Sequence, residues 1–324
     1  MWCAHPRPRR GEIFSSWLTR CAQANGLSCH CFTDRTFGAR EVWTRDIDRS
    51  AASHLLVTAA EVMGVPELRL RRTLIQHYAG ILFEPTFRGG TLPWITPAGV
   101  YHRTRRRHGA AYCPYCLQEF GCVLLAWRIA WMVHCPRHEI PLRDACPFCD
   151  APFVFHKIWS QGHDRYPCPA CGGNLADTRR NMPPISMKAR TLQRSLTASC
   201  VQNGRTVAGQ RLTSLEFSSG LRFLLRGLYE RKKLGGLATG GRKDAQIHPS
   251  IRRAPSPLAF EHWRIQQRAA AMSHLAVVLH GWPEAFLLAM KRGRVSRHRF
   301  GESPAPAWVA VVLEHRDRHG NDPG

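Results

Sequence analysis

Eight side chains between residues 113 and 171 constrain this chain more than anything else in it. Cys113 and Cys116 form a C-x2-C pair, and Cys135 with His138 forms a C-x2-H pair after 18 intervening residues. Cys146 and Cys149 repeat the first pair, and Cys168 with Cys171, again after 18 residues, repeats the second. A constant shift of 33 carries the first four positions onto the second four. Two thiolates two residues apart on a tight knuckle reach one zinc ion at about 2.3 Å, and a second knuckle completes the tetrahedron. Pro114, Pro136, Pro147 and Pro169 each follow the first ligand of a knuckle and stiffen its turn. The pattern predicts two structural Zn2+ ions, one held by three thiolates and an imidazole, the other by four thiolates, with no position left for water. The spacers suit zinc-ribbon or zinc-finger modules with knuckles on adjacent hairpins. One alternative stays open: Cys135 and His138 sharing a metal with Cys146 and Cys149, after only seven intervening residues, although the repeat favours sequential pairing. Cys122, His134, His156 and His163 are spare donors read as bystanders.

Charge is the second outlier. Lys and Arg number 46 against 23 Asp and Glu, a formal net charge of +23, and arginine carries most of it. A self-repelling surface of that size points to an anionic partner, and double-stranded DNA is the expectation. Arginine suits it, because the guanidinium fork matches phosphate and stacks on flat groups. No run of about 18 apolar residues occurs, so no membrane partner is expected. Arg7, Arg9 and Arg10 are followed by Gly11 and Glu12 rather than an apolar stretch, which argues against a secretory signal. Thirteen cysteines, seven of them in pairs at metal-binding spacing, then read as a cytoplasmic, reducing setting.

The rest of the sequence reads as mainly α with small β. Residues 11–26 predict an amphipathic helix through Ile13, Phe14, Trp17, Leu18 and Cys21, stopped at Asn25-Gly26. Leu55, Leu56, Ala59, Val62 and Met63 predict another over 50–63, and after Gly64-Val65-Pro66 a third is expected over 67–75. Helix, short Gly-containing turn and helix make a helix-turn-helix skeleton, and Arg69, Arg71 and Arg72 on its second helix are candidate DNA contacts. Residues 84–100 read as an irregular connector. The run containing Arg103, Arg105, Arg106 and Arg107, just before the first knuckle, is a candidate phosphate clamp. Leu221, Leu224, Leu225 and Leu228, then Leu275, Val278, Leu279, Phe286 and Met290, mark helices further on. The expected organisation is a helix-turn-helix-like domain over 1–108 and tandem zinc-binding modules over 109–180. A C-terminal helical domain over 181–315, with an exposed linker at 231–257, and a disordered tail over 316–324 complete it.

These residues together resemble the TniQ/TnsD family. The resemblance is carried by Pro6-Arg7-Pro8, by Gly11-Glu12 with Ser16-Trp17-Leu18, and by Asp46-Ile47-Asp48 and Met63-Gly64-Val65. It continues through Tyr112-Cys113-Pro114-Tyr115-Cys116-Leu117, Trp127-Arg128, Cys135-Pro136-Arg137-His138 and Leu142. It covers roughly residues 6–175. The resemblance implies a factor that selects the insertion target of a transposon and links a target-recognising element to an AAA+ ATPase, which recruits the transposase. Some members read an attachment site directly; others join a CRISPR effector complex with its guide RNA; some form head-to-tail homodimers.

An enzyme is not expected. The sequence holds no G-x-S-x-G elbow, Walker loop or H-E-x-x-H. Pro167-Cys168-Pro169-Ala170-Cys171 matches half of a zinc-deaminase signature, but His138-Glu139-Ile140 lacks the His-x-Glu order of the other half. Asp144, Asp150 and Asp164 read as turn residues rather than a carboxylate triad. The alternatives to an adaptor are a direct, sequence-specific attachment-site selector and a zinc-dependent transcription regulator. Trp94, Trp127, Trp131 and Trp159 are available to stack bases, though such residues more often fill cores.

Overall fold

The computed structural model describes residues 2–38, 42–49, 51–98, 100–101, 104–105, 108–159, 165–180, 183–229, 259–292 and 304–319. The chain divides into two units, one of Met1–Ala79 with Arg88–Pro184, the other of Gly80–Phe87 with Ile185–Gly324. The boundary expected at 108 falls inside the first unit, which contains both the N-terminal helices and the two cysteine modules. The linker expected at 231–257 lies outside the described residues.

In the first unit, α1 (Phe14–Ala24) buries Phe14, Trp17, Leu18, Cys21 and Ala22, positions three and four apart on one face. Asn25 caps it and Gly26, at φ 67°, turns the chain away. Helix α2 (Cys29–Phe37) is absent from the sequence expectations, because Cys, His, Thr and Asp are weak helix formers. Its ends explain it: the Ser28 side chain accepts from the Cys31 N–H, and Gly38 closes the helix in the left-handed region. Helix α3 (Ser53–Met63) buries Leu55, Leu56, Ala59 and Met63, and Gly64 ends it at φ 60°. These three helices, with Trp43, Ile47, Val65, Leu70 and Leu74, enclose one apolar core.

The helix expected over 67–75 is shorter. Helix α4 runs only from Glu67 to Arg71, about 7.5 Å at 1.5 Å per residue. Thr73 ends it: its hydroxyl donates to the Leu70 carbonyl (2.5 Å) while its own carbonyl accepts from the Phe14 N–H (3.1 Å). A single 3-10 turn, Ile75–Tyr78, follows.

The expected connector at 84–100 is more ordered than its composition suggests. Trp94 accepts from the Ala130 N–H (2.7 Å), Ile95 bridges Ile129, and Thr96 donates to the Arg128 carbonyl (2.8 Å). Two short antiparallel strands follow, β1 (Val100–Tyr101) and β2 (Thr104–Arg105), and then helix α5 (Pro114–Phe120). Trp94, Trp127 and Trp131 are fully buried, which removes them as base-stacking candidates; Trp159 is 47% exposed.

Arg128 explains why this segment is held. It is buried; its guanidinium donates to the Asp46 carboxylate (2.5 and 3.2 Å), to Asp48 (3.2 Å) and to the Thr96 carbonyl (2.9 Å). Asp48 in turn accepts from the Ser15 N–H (2.7 Å) and hydroxyl (2.9 Å) at the start of α1. Burial pushes the Asp48 carboxyl up to about 6, against the opposing pull of Arg128. One cation therefore ties together α1, the 46–48 loop, the 94–96 segment and the chain between the knuckles.

In the second unit α6 (Met187–Val201) packs along α8 (Ile265–Leu279). A hairpin, β3 (Arg205–Val207) and β4 (Gln210–Leu212), turns at Ala208-Gly209, both at positive φ, and leads into α7 (Ser214–Tyr229). Helices α9 (Glu284–Arg292) and α10 (Ala307–His319) complete it. Gly220 lets the Trp308 indole lie against α7; a Cβ there would sit 2.3 Å from the ring. Arg222 pairs with the buried Glu261 (2.7 Å). The tail expected to be disordered from 316 is helical through His319; residues 320–324 lie outside the described residues. Among the described residues no helix is long and apolar enough to cross a membrane.

Replacing Arg128 with Ala leaves two carboxylates without their cation and is expected to cost about 3–5 kcal/mol of stability. Arg71→Ala, which breaks only the exposed ion pair with Glu67, should cost about 0.5 kcal/mol or less. Denaturant midpoints of the two variants against the parent chain check the contrast.

Candidate metal centres

The eight donors fall into two clusters. The ligand atoms of Cys113, Cys116, Cys135 and His138 lie within 4.8 Å of one another, and so do those of Cys146, Cys149, Cys168 and Cys171. In the first, His138 Nδ1 is 3.4, 3.3 and 3.6 Å from the sulphurs of Cys113, Cys116 and Cys135, and Cys116 Sγ is 3.7 Å from Cys135 Sγ. In the second, Cys146 and Cys171 sulphurs are 3.7 Å apart, Cys149 and Cys168 sulphurs 3.9 Å. A tetrahedron with arms of about 2.3 Å to sulphur and 2.05 Å to nitrogen has edges of about 3.8 Å for S–S and 3.6 Å for S–N. The clusters have that size, whereas a disulfide needs about 2.05 Å, and the cysteines are free. The donors thus group sequentially, and each set fits one metal ion.

Local backbone rules build the knuckles. At Cys135, Cys146 and Cys168 the cysteine N–H donates to a carbonyl five residues on (Ile140, Ala151, Gly173; 2.8–2.9 Å). The N–H four residues on (Glu139, Asp150, Gly172) donates back to the cysteine carbonyl at 2.8–3.0 Å. That fourth position is left-handed in all three, at φ 53°, 59° and 73°. The expected hairpins shrink to isolated bridges seven residues apart, His134 with Pro141, Ala145 with Pro152 and Pro167 with Asn174. The first knuckle departs from the repeat: Cys113 is the N-cap of α5, so the chain winds on to Gly121 before reversing.

Crowding dictates the charge state. Burial raises the Cys146 thiol to about 12. Cys116 is raised by its hydrogen bonds to Cys113 and Cys135, while Cys135 is pulled down by donation from Cys113 and Cys116. Such a set becomes fully ionised only around a cation, which replaces the shared protons.

The sequence reading missed the group behind His138. Its Nε2 is 2.8 Å from Glu119 Oε1 on α5, so Nδ1 is left facing the sulphurs. Glu119 also pairs with Arg137 (3.2 Å), and Tyr115 stacks on the imidazole (5.2 Å between centroids). A carboxylate behind a ligating imidazole fixes its tautomer and orientation. The signal was in reach, since Glu119 sits 19 residues before His138 as Cys116 does before Cys135.

The first module is fastened to α1. Glu12 accepts from Arg20 (2.6 and 2.8 Å), from the Arg9 N–H (3.0 Å) and from Ser16 Oγ (2.9 Å). Ser16 Oγ also accepts from the Val123 N–H (2.9 Å), and Ile13 N–H donates to the Val123 carbonyl (3.0 Å). Gly11, at φ 73°, presents its carbonyl to the Leu125 N–H (2.8 Å). The two modules are joined through Tyr112 and Arg143, whose backbones exchange both hydrogen bonds at 2.8 Å. Of the spare donors, Cys122 is buried outside both clusters and raised to about 12 by burial. His134 is buried too, and His156 stacks on Trp43 at 4.5 Å. His163 and Asp164 lie outside the described residues.

The candidate DNA contacts fall in two segments of the sequence. Arg69, Arg71 and Arg72 lie on or just after α4, but Arg69 donates to the Pro8 carbonyl (3.0 Å) and Arg71 pairs with Glu67. Arg105 lies on β2, while Arg103, Arg106 and Arg107 fall outside the described residues.

Residues 3–142 match the family model described as TniQ. No curated protein matches the sequence. The matched span takes in α1 to α5 and the whole first cluster, and it ends before the second.

Removing metal with a chelator should release two ions per chain and unfold the region around the knuckles, seen as lost amide protection near residues 113–171. Glu119→Ala should weaken the first site alone by about 10–100-fold. A chromophoric-chelator titration would then show one early-releasing and one unchanged ion.

Proposed function

This chain carries a TniQ domain and is a transposition-associated protein, and on that premise we propose that it selects the insertion target without catalysing a reaction itself. In this reading it links a target-recognising element to an AAA+ ATPase, which brings in the transposase. The observation that carries the reading is the match over residues 3–142, a span that includes the residues assembling the first metal centre and its attachment to α1. The metal is assigned as zinc, because a tetrahedron of three thiolates with one imidazole, or of four thiolates, is its preferred donor set and leaves no open position. Zinc here supplies structure: it holds the knuckles and so the surface made by α1, α5 and the spacers.

The recognising element is proposed to be a CRISPR effector complex with its guide RNA, or duplex DNA contacted through phosphates. The charge of +23 favours a DNA contact of the second kind. A five-residue α4 is short for a helix that lies along a major groove, so Arg69, Arg71 and Arg72 are better suited to phosphates than to base edges. A direct attachment-site selector is the second reading. A cytoplasmic location and a homodimer are consistent with both.

Tagged protein purified from cells carrying its neighbouring genes, washed at high salt, separates these readings. An AAA+ ATPase together with a discrete short RNA supports the guided adaptor; the ATPase with specific duplex DNA supports the direct selector. Recovery of neither, with the metal sites loaded, would sink the target-selection reading. If phosphate contacts dominate, Arg72→Ala should weaken binding to unrelated duplexes equally and lower the salt slope by about one.

A further inference from the structure

The unit formed by Gly80–Phe87 and Ile185–Gly324 holds a cavity of about 490 Å3. It lies between the first half of α6 and the last turn of α8. Its apolar lining is Leu192, Ala276, Leu279, Met187 and Val277, and the last two are 64% and 50% exposed. Helix α6 presents Met187, Lys188, Thr191, Leu192 and Ser195 to it, one face at helical spacing, so the opening is as long as two helical turns.

The polar groups around this apolar floor carry one sign. Lys188, Arg205 and His280 line the cavity and no carboxylate among the described residues does. Arg205 is the informative one. It leaves β3, donates to Ser195 Oγ (2.7 Å) and lies over the Phe217 ring (4.7 Å), while its Nε is buried with no hydrogen-bond partner. Burial lowers its pKa, the direction expected of a cation held out of water without a counter-ion. Arg222 in the same unit shows the alternative, since its guanidinium meets Glu261.

We propose that this groove docks an amphipathic helix of a partner protein, its apolar face on Met187, Leu192, Val277 and Leu279 and its acidic flank opposite Lys188 and Arg205. An apolar stripe of that length with charged edges is how a groove takes a helix with anchors at i, i+3, i+4 and i+7. The sign of the rim selects the partner. It also disfavours residues 231–257 of this chain, where Arg231, Lys232, Lys233, Arg242, Lys243, Arg252 and Arg253 face only Asp244 in charge. The proposal lies beyond the family-matched residues and stands independently of the transposition reading.

Fluorescence anisotropy on the full metal-loaded chain tests it with three labelled helical peptides. One carries Leu at i, i+3, i+4 and i+7 with Glu elsewhere, the second replaces Leu with Ala, and the third replaces Glu with Lys. The first should bind, and the other two should bind about tenfold more weakly or less, because charge alone or apolar surface alone does not satisfy the groove. Val277→Asp, at a half-exposed position that should tolerate the change, should weaken the first peptide by about tenfold. Lys188→Glu should weaken it less and flatten its salt dependence. The proposal fails if the first peptide does not bind, if the Ala peptide binds equally, or if Val277→Asp has no effect. It also fails if sedimentation shows a wild-type dimer that Val277→Asp dissolves, since the groove would then belong to a second copy.

Discussion

Three or four thiolates inside a 4.8 Å cluster repel one another once ionised, so holding them together in that state takes a cation at the centre. Much else in the first unit hangs on the first of these clusters. The 18 residues between its knuckles run past Val123, Leu125 and Arg128, and each of these receives part of the helical region. The cluster pins both ends of that segment. With it those residues become a template against which α1 and the 46–48 loop are fixed.

The residues that carry the family resemblance turn out to be couplers. Glu12 and Ser16 bind backbone and arginine groups at the start of α1, Gly11 permits the turn that presents its carbonyl, and Trp17 donates to the Pro6 carbonyl (2.8 Å). Asp46 and Asp48 meet Arg128 from 80 residues or more away in sequence. None of these residues needs a substrate to explain its chemistry. Their contacts fix the start of α1 and the 46–48 loop against the chain between the first two knuckles.

The charge total overstates the cation available to a polyanion. Arg20, Arg128, Arg143 and Arg222 spend their guanidinium groups on buried or half-buried partners, and Arg49 donates to the carbonyls of Gly89 and Gly90. Near α4 the exposed arginines are Arg69, Arg71 and Arg72, on or just after a helix of five residues.

By itself the sequence determined the two sets of metal donors and the helices with clear periodicity. Ligand spacing is a local property: a knuckle closes within six residues, so Cys113 to Cys171 were legible without a fold. Phe14 to Ala22 and Leu55 to Met63 were legible for the same reason, because one turn of helix sees only its own neighbours. Helix α2 was hidden because its cysteines, histidine and threonines form a helix only when Phe32 and Cys29 meet the core. The truncation of α4 depended on Thr73 being claimed by Phe14, and the strand-like segment at 94–96 on partners at 128–130. The pairing of Arg128 with Asp46 and Asp48, the placing of Glu119 behind His138 and the one-signed groove between α6 and α8 were decided by the tertiary structure alone. Each joins side chains far apart along the chain or across a turn, and only the folded backbone sets which of many arginines reaches which carboxylate.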